Sequence, residues 1–137
     1  MIAIIGGTGV EQVSATGSEE RRLDTPYGTV DVNLVRLASG QRLVFAARHG
    51  KGHAVPPHRL PVRALIWGLK ELGVTAILAT SAVGSCSEDL PPGTLALLGD
   101  FLDFTKGRPS TFHDGPGVLH VDVSDAYCQT QIGRAHV

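Results

Sequence analysis

The 137-residue sequence is poor in charge and in cysteine, and each shortage removes a class of protein. Charged residues make up only 18% of the chain, and the formal net charge is −1. Such a chain has no broadly basic surface for non-specific nucleic-acid binding. With 42% apolar residues it is also too hydrophobic for a disordered tail. Two cysteines, Cys86 and Cys128, do not make a disulfide framework, so a reduced, cytoplasmic compartment is the simplest expectation. No apolar run approaches the length of a membrane span, and no membrane partner is expected. Met1 is followed at once by Ile2-Ala3-Ile4-Ile5, without a basic n-region, and glycines arrive too early for a secretory signal. Internal repeats and low-complexity stretches are missing too. What remains has the size and composition of one ordinary domain able to bury a core.

The apolar runs set out an alternation of strands and a helix. Ile2 to Ile5 reads as a buried strand halted by the turn Gly6-Gly7-Thr8-Gly9. Asp24-Thr25-Pro26-Tyr27-Gly28 reads as a loop. Thr29 to Leu37 alternates, with Val30, Val32, Leu34 and Arg36 on one side, which predicts a half-exposed strand. Leu43 to Ala47 is a second buried run, and the Gly-, His- and Pro-rich segment from His49 to His58 is a loop. Between Pro61 and Leu72, Val62, Leu65, Ile66, Leu69 and Leu72 recur at helical spacing, with Pro61 suited to the first turn and Gly73 to a left-handed exit. Thr75 to Thr80 predicts another buried strand, and Thr94 to Leu98, after Pro91-Pro92-Gly93, a further one. Continuous apolar strands around a helix indicate an α/β sheet covered on both faces.

Polar groups follow the ends of these strands. Ile5 is followed by three glycines and Thr8, Ala47 by Arg48 and His49, and Ala79 by Thr80, Ser81 and Ala82. In an open α/β sheet, ligands bind outside the carboxyl ends of the strands. If the three strands are parallel neighbours, one small volume receives a glycine loop, a guanidinium, an imidazole and hydroxyls. That set suits a phosphate-sized dianion. Glycine lets backbone N–H groups approach an oxygen closely, Arg48 offers a bidentate charge-assisted pair, Thr8 and Ser81 are compact donors, and His49 adds an N–H. Each feature alone has a plainer reading. The glycine turn is as well explained by a tight strand exit. It is neither a dinucleotide fingerprint, since Gln12 stands where the third glycine should be, nor a Walker loop. His49, His53 and His58 have no zinc spacing, and no metal is expected. Cys86 has no activating base nearby, and Asp100 with Asp103 more simply anchors a loop.

Several strings taken together resemble a known family. Ile4-Ile5-Gly6-Gly7-Thr8-Gly9, Ala47-Arg48-His49-Gly50, Pro56-Pro57-His58-Arg59, Ile66-Trp67-Gly68-Leu69-Lys70-Glu71-Leu72-Gly73-Val74 and Ala82-Val83-Gly84-Ser85 are similar to the methylthioadenosine phosphorylase branch of the purine nucleoside phosphorylases. The run from Asp100 to Pro109, Thr111 to Gly115, and His120-Val121-Asp122 extend the likeness, which spans residues 2 to about 128. The resemblance implies a three-layer α/β fold with a mixed central sheet. It implies a homotrimer and a pentosyltransferase of purine and methionine salvage, which cleaves 5′-methylthioadenosine with phosphate to adenine and 5-methylthioribose 1-phosphate. Inorganic phosphate is then a co-substrate, and no cofactor is expected. By motif, Thr8, Arg48, His49, Ser81 and Ala82 fall on phosphate-binding positions, and His120 on a loop that lines the neighbouring subunit's 5′-substituent pocket.

The chain departs from the family in three ways. Val62-Arg63-Ala64-Leu65 replaces a common Tyr-Arg-Ala-Asn, and Ser81 replaces a threonine or asparagine. Family members are also considerably longer, so the fold is expected to be incomplete at its C-terminus, with the acid that assists purine departure lying beyond it. Gln131 to Val137 shows no periodicity or cap and back-translates to a common sequencing adapter read in frame. It is expected to be a non-native tail, leaving residues 1–130 as the N-terminal part of one phosphorylase domain. Two alternatives stay open: a phosphorylase for 6-oxopurine nucleosides (methylthioinosine, inosine, guanosine), and an inactive fragment that at most binds phosphate.

Overall fold

A computed structural model describes residues 1–10 and 15–130, so Gln12 and the expected non-native tail lie outside the described residues. The chain forms two compact units, the first from Met1 to Val83 and the second from Gly84 onward. In the first, five strands and one helix follow in the order β1 (Ile2–Gly6), β2 (Gly17–Thr25), β3 (Gly28–Arg36), β4 (Arg42–Ala47), α1 (Val62–Glu71) and β5 (Ala76–Ala79). The sheet order is β2-β3-β4-β1-β5. β1 lies parallel to both β4 and β5, whereas β3 runs antiparallel to β2 and β4. The sheet is therefore mixed, as the family resemblance implies.

Position in the sheet explains which runs are continuously apolar. β1 sits between β4 and β5, and one of its faces is fully inside: Ala3 and Ile5 join one cluster with Val32, Val44, Ala46 and Leu69 of α1. Ile4 turns the other way, against Val35, Leu43 and Phe45. The alternating β3 sends Val30 and Val32 inward as predicted, but Val35 on the opposite face is buried as well, so the strand is less exposed than its sequence suggests. β5 is the edge strand, and Leu78 is about half exposed rather than buried. Helix α1 packs on β2 and β3. It comes close because Ala64 and Gly68 lie one turn apart, and a Cβ on Gly68 would stand 2.8 Å from Leu23 Cδ1. Glycine costs a helix interior about 1 kcal/mol relative to alanine, which this approach offsets. The exit is a Schellman motif: Gly73, at φ 77°, donates to the Lys70 carbonyl (2.9 Å) and Val74 to that of Leu69 (3.0 Å). Pro61 sits one residue earlier than expected, as the cap whose carbonyl accepts from Leu65 N–H at 2.9 Å.

Two expectations need correction. Residues 17–25 form a nine-residue strand that the sequence reading passed over, because Gly-Ser-Glu-Glu-Arg-Arg-Leu-Asp-Thr shows no apolar alternation. It is an outer strand, where charged side chains are tolerated and discourage pairing with other chains. The predicted loop at 24–28 is accordingly a two-residue hairpin turn at Pro26-Tyr27, closed by Thr25 opposite Gly28 and by a bond from Thr25 Oγ1 to the Gly28 carbonyl (2.7 Å). Conversely, Thr94 to Leu98 is not a strand: its residues are exposed, and no described strand pairs with them. Hydrophobicity supplied the prediction there, but a strand exists only where its backbone groups find a ladder partner.

Candidate functional site

Parallel pairing brings the carboxyl ends of β1, β4 and β5 to one edge, with Gly6 opposite Ala47 and Ile5 opposite Ala79. The backbone then ties the three exits together. Arg48 N–H donates to the Gly6 carbonyl at 2.8 Å, and Thr80 N–H to the Ile5 carbonyl at 3.0 Å. Gly7 N–H donates to Thr80 Oγ1 at 3.0 Å. Both glycines are required by space. A Cβ on Gly6 would lie 2.0 Å from the Val10 carbonyl oxygen, and one on Gly7 would lie 2.4 Å from the Thr80 carbonyl oxygen. The plain reading of the glycine turn is thus correct and sufficient for these two residues: they let the loop fold against the neighbouring strand exit.

The side chains converge in part. The Arg48 guanidinium donates through Nη1 to Ser81 Oγ, joining residues from two different strand exits. No described carboxylate lies in ion-pair range of Arg48, whereas the exposed Arg22 and Lys51 are paired with Asp31 and Glu20. Arg48 as a whole is partly buried, and its guanidinium is held by a neutral hydroxyl with no described carboxylate as counter-charge. Thr8 is exposed at the turn, next to the glycine that packs on Thr80 and Ser81, and Ala82 continues the chain from Ser81. His49 follows Arg48 directly, but its ring is engaged elsewhere: Nδ1 meets the Val55 carbonyl at 2.9 Å, and the ring stacks on His53 with centroids 4.4 Å apart. The expected N–H from the neutral ring is therefore spent on Val55. His120 lies in the second unit, exposed.

The sequence also carries a charge asymmetry along its middle. No aspartate or glutamate occurs between Asp31 and Glu71, while Arg36, Arg42, Arg48, Lys51, Arg59, Arg63 and Lys70 all do. That local excess of positive charge is hidden in the near-zero total. Among the described residues, no group of three or more His, Cys, Asp or Glu is arranged to hold a metal ion. No helix among them is long and apolar enough to cross a membrane. A cleft of about 300 Å³ is present, but it opens at the other edge of the sheet, lined by Met1, Arg36, Arg42 and Leu72 among others.

Residues 1–136 match the family model described as the Phosphorylase superfamily. The chain belongs to this superfamily. A phosphorylase of known type from Pyrococcus furiosus, a 6-oxopurine nucleoside phosphorylase, is 46% identical over 134 residues, covering 93% of this chain and 50% of the relative. The S-methyl-5′-thioadenosine phosphorylase of Nitrosopumilus maritimus is 45% identical over 129 residues, covering 93% of this chain and 49% of the relative. Among solved structures, the methylthioadenosine phosphorylase of Schistosoma mansoni in complex with adenine superposes with a TM-score of 0.86 at 37% identity, covering 94% of this chain and 49% of that one. This superfamily member therefore has the mixed-sheet fold of nucleoside phosphorylases, and it spans about half the length of the curated relatives it matches.

Proposed function

We propose that this chain carries the phosphate-binding part of a purine nucleoside phosphorylase, in which Thr8, Arg48, His49, Ser81 and Ala82 surround inorganic phosphate as co-substrate. The observation that carries this reading is the Arg48 guanidinium, which has no ion-pair partner among the described residues and is bonded to Ser81 across two strand exits beside a close-packed glycine loop. In the reaction, a phosphate oxygen forms a bond to the anomeric carbon of the nucleoside. The glycosidic C–N bond breaks, its electron pair leaves with the purine, and the purine takes up a proton. No protein nucleophile is needed. The sugar becomes oxocarbenium-like as the bond breaks, and an adjacent phosphate dianion stabilises the developing charge. Arg48 and the loop amides would hold that dianion in line, removing much of the orientational cost.

The proposed substrate is 5′-methylthioadenosine, on the strength of the strings from Asp100 to Gly115, with adenine and 5-methylthioribose 1-phosphate as products. The whole protein would act as a homotrimer, with His120 reaching a neighbour's 5′-pocket. The Pyrococcus relative favours a second reading, a 6-oxopurine nucleoside substrate. The test is release of free base by the full-length gene product with and without phosphate. Adenine from 5′-methylthioadenosine supports the first reading, hypoxanthine from inosine or methylthioinosine the second. Base release independent of phosphate contradicts both. In that protein, Arg48→Ala is expected to lower catalytic efficiency by roughly 3 kcal/mol of transition-state stabilisation, the scale for loss of a main charge-stabilising donor.

A further inference from the structure

We propose that the cleft at the amino end of β1 binds a linear phosphate chain, as in a nucleoside triphosphate or inorganic polyphosphate, along a row of arginines that have no acid of their own. The cleft, of about 300 Å³, lies within the first unit and is lined by Arg21, Arg36 and Arg42, with one carboxylate, Glu19. It stands at the opposite end of β1 from Gly6, shares no residue with the strand-end site, and does not rest on the reading of that site. Strand alternation brings these side chains to one face. Arg21 is opposite Val32, Glu19 opposite Leu34 and Gly17 opposite Arg36, and Val32 and Leu34 belong to the cluster around Leu69 of α1. Arg21, Glu19 and Arg36 therefore share the helix-covered face of β2 and β3, and Arg42, directly opposite Arg36, joins them.

Charge is matched on one face of this sheet and left unmatched on the other. On the far face of β2, Arg22 stands opposite Asp31 and grips it twice, Nε to Oδ1 at 2.8 Å and Nη2 to Oδ2 at 3.1 Å. On the cleft face, Arg36 and Arg42 oppose each other, and like charges in that relation cost stability. None of Arg21, Arg36 and Arg42 forms an ion pair with a described residue, although Glu19 is diagonal to Arg36. The β3–β4 turn holds the repelling pair in place: Leu37 N–H donates to the Gln41 carbonyl and Gly40 N–H to that of Leu37, both at 2.9 Å. An anion seated between them removes the repulsion without reshaping the backbone. The layout then selects the ligand. Arg21 is level with Val32 and Arg42 with Arg36, so the cationic side chains start from backbone positions roughly 13 Å apart along the strands. A single tetrahedral ion meets one end of this row, whereas a chain of phosphates follows it. Orthophosphate forfeits most of these contacts and is left to the strand-end site. Leu34 and Leu72, both half-buried, add an apolar wall suited to a flat base.

The experiment is calorimetric titration of the full-length protein, kept in saturating orthophosphate, with magnesium-free tripolyphosphate and with ATP. The wild type is expected to bind tripolyphosphate, and Arg36→Gln with Arg42→Gln to weaken it by about tenfold or more, the worth of one good charge-assisted contact. Glu19→Gln should tighten binding, because it removes the carboxylate that competes for the row. Arg22→Gln, on the other face and paired with Asp31, should bind as the wild type does. The double arginine variant should unfold at the same temperature as the wild type or higher, since opposed like charges are gone. If it unfolds lower, Arg21→Gln on the exposed outer strand decides, and it should weaken tripolyphosphate severalfold. ATP bound more tightly than tripolyphosphate assigns the cleft to a nucleoside triphosphate; ATP bound equally or less tightly assigns it to the inorganic chain. A wild type that binds neither probe, affinity unchanged in the deciding arginine variant, or an equal loss in Arg22→Gln overturns the proposal and leaves these arginines as solvated surface charge. None of those results touches the strand-end site, whose own test is the response to orthophosphate.

Discussion

The two units are held by different kinds of contact, and the contrast shows what turns apolar sequence into a core. In residues 1–83, strands distant in sequence pair with one another and press Ala3, Val32, Val44 and Leu69 out of water. From Gly84 onward large apolar residues are also present, yet Leu95 is 99% exposed and Phe104 84% exposed. The side-chain hydrogen bonds described there include local turns: Asp103 Oδ1 accepts from Thr105 N–H and Oγ1 (2.8 and 2.7 Å), Asp122 Oδ1 from Ser124 N–H and Oγ (2.9 and 2.6 Å), and Ser85 Oγ from Ser87 N–H (3.1 Å). Turns of this kind satisfy polar groups two residues away but bury little. Apolar content becomes stability only where long-range backbone pairing gives it a surface to cover.

That contrast predicts unequal costs for the same chemical change. Leu69→Ala, at a fully buried position beneath the sheet, should destabilise the chain by about 2–5 kcal/mol in urea unfolding. Leu95→Ala should change stability by less than about 0.5 kcal/mol, and equal effects would erase the distinction between the units. Gly6→Ala comes next: with a carbonyl oxygen 2.0 Å from the new methyl group, the β1 exit must move, at a cost of about 1–3 kcal/mol by the same measurement. Gly73→Ala is smaller, about 1 kcal/mol, because open space surrounds the position and only the left-handed backbone opposes the side chain.

The smallest effect concerns the local turns of the second unit. The Asp103 and Asp122 carboxyls are held below the usual aspartate value, chiefly by the hydroxyls of Thr105 and Ser124 and then by their backbone N–H groups. A depressed folded value favours the charged form. The support these groups give is therefore present above the unfolded value, about pH 4, and is lost as pH falls through the lower folded value. Acid titration followed by NMR should show both carboxyls protonating below that of an unstructured peptide control, and the Thr105 and Ser124 amides shifting with them. Amides that shift at the control value would show that the turns do not form.

Most of the first unit was legible because its signals are local and periodic. The helix and the strands at 2–5, 29–37, 43–47 and 75–80 each announce themselves by spacing or by an unbroken apolar run. β2 was hidden because an outer strand needs no apolar pattern, and 94–98 misled because it has one without a partner. Arg48 and Ser81 could be named from their places after β4 and β5, since parallel neighbours must end at the same edge. The tautomer of His49 could not: it depends on a carbonyl six residues away brought back by the turn at Gly50, which no pairwise spacing encodes.

The direct measurement of the central claim is a titration with inorganic phosphate followed by backbone amide chemical shifts. The account predicts that Gly7, Gly9, Arg48, Ser81 and Ala82 shift together with one dissociation constant, and that Arg36 and Arg42 at the far edge do not respond. Shifts confined to the far-edge arginines, or scattered with unrelated constants, would show that the three strand ends do not form one anion site.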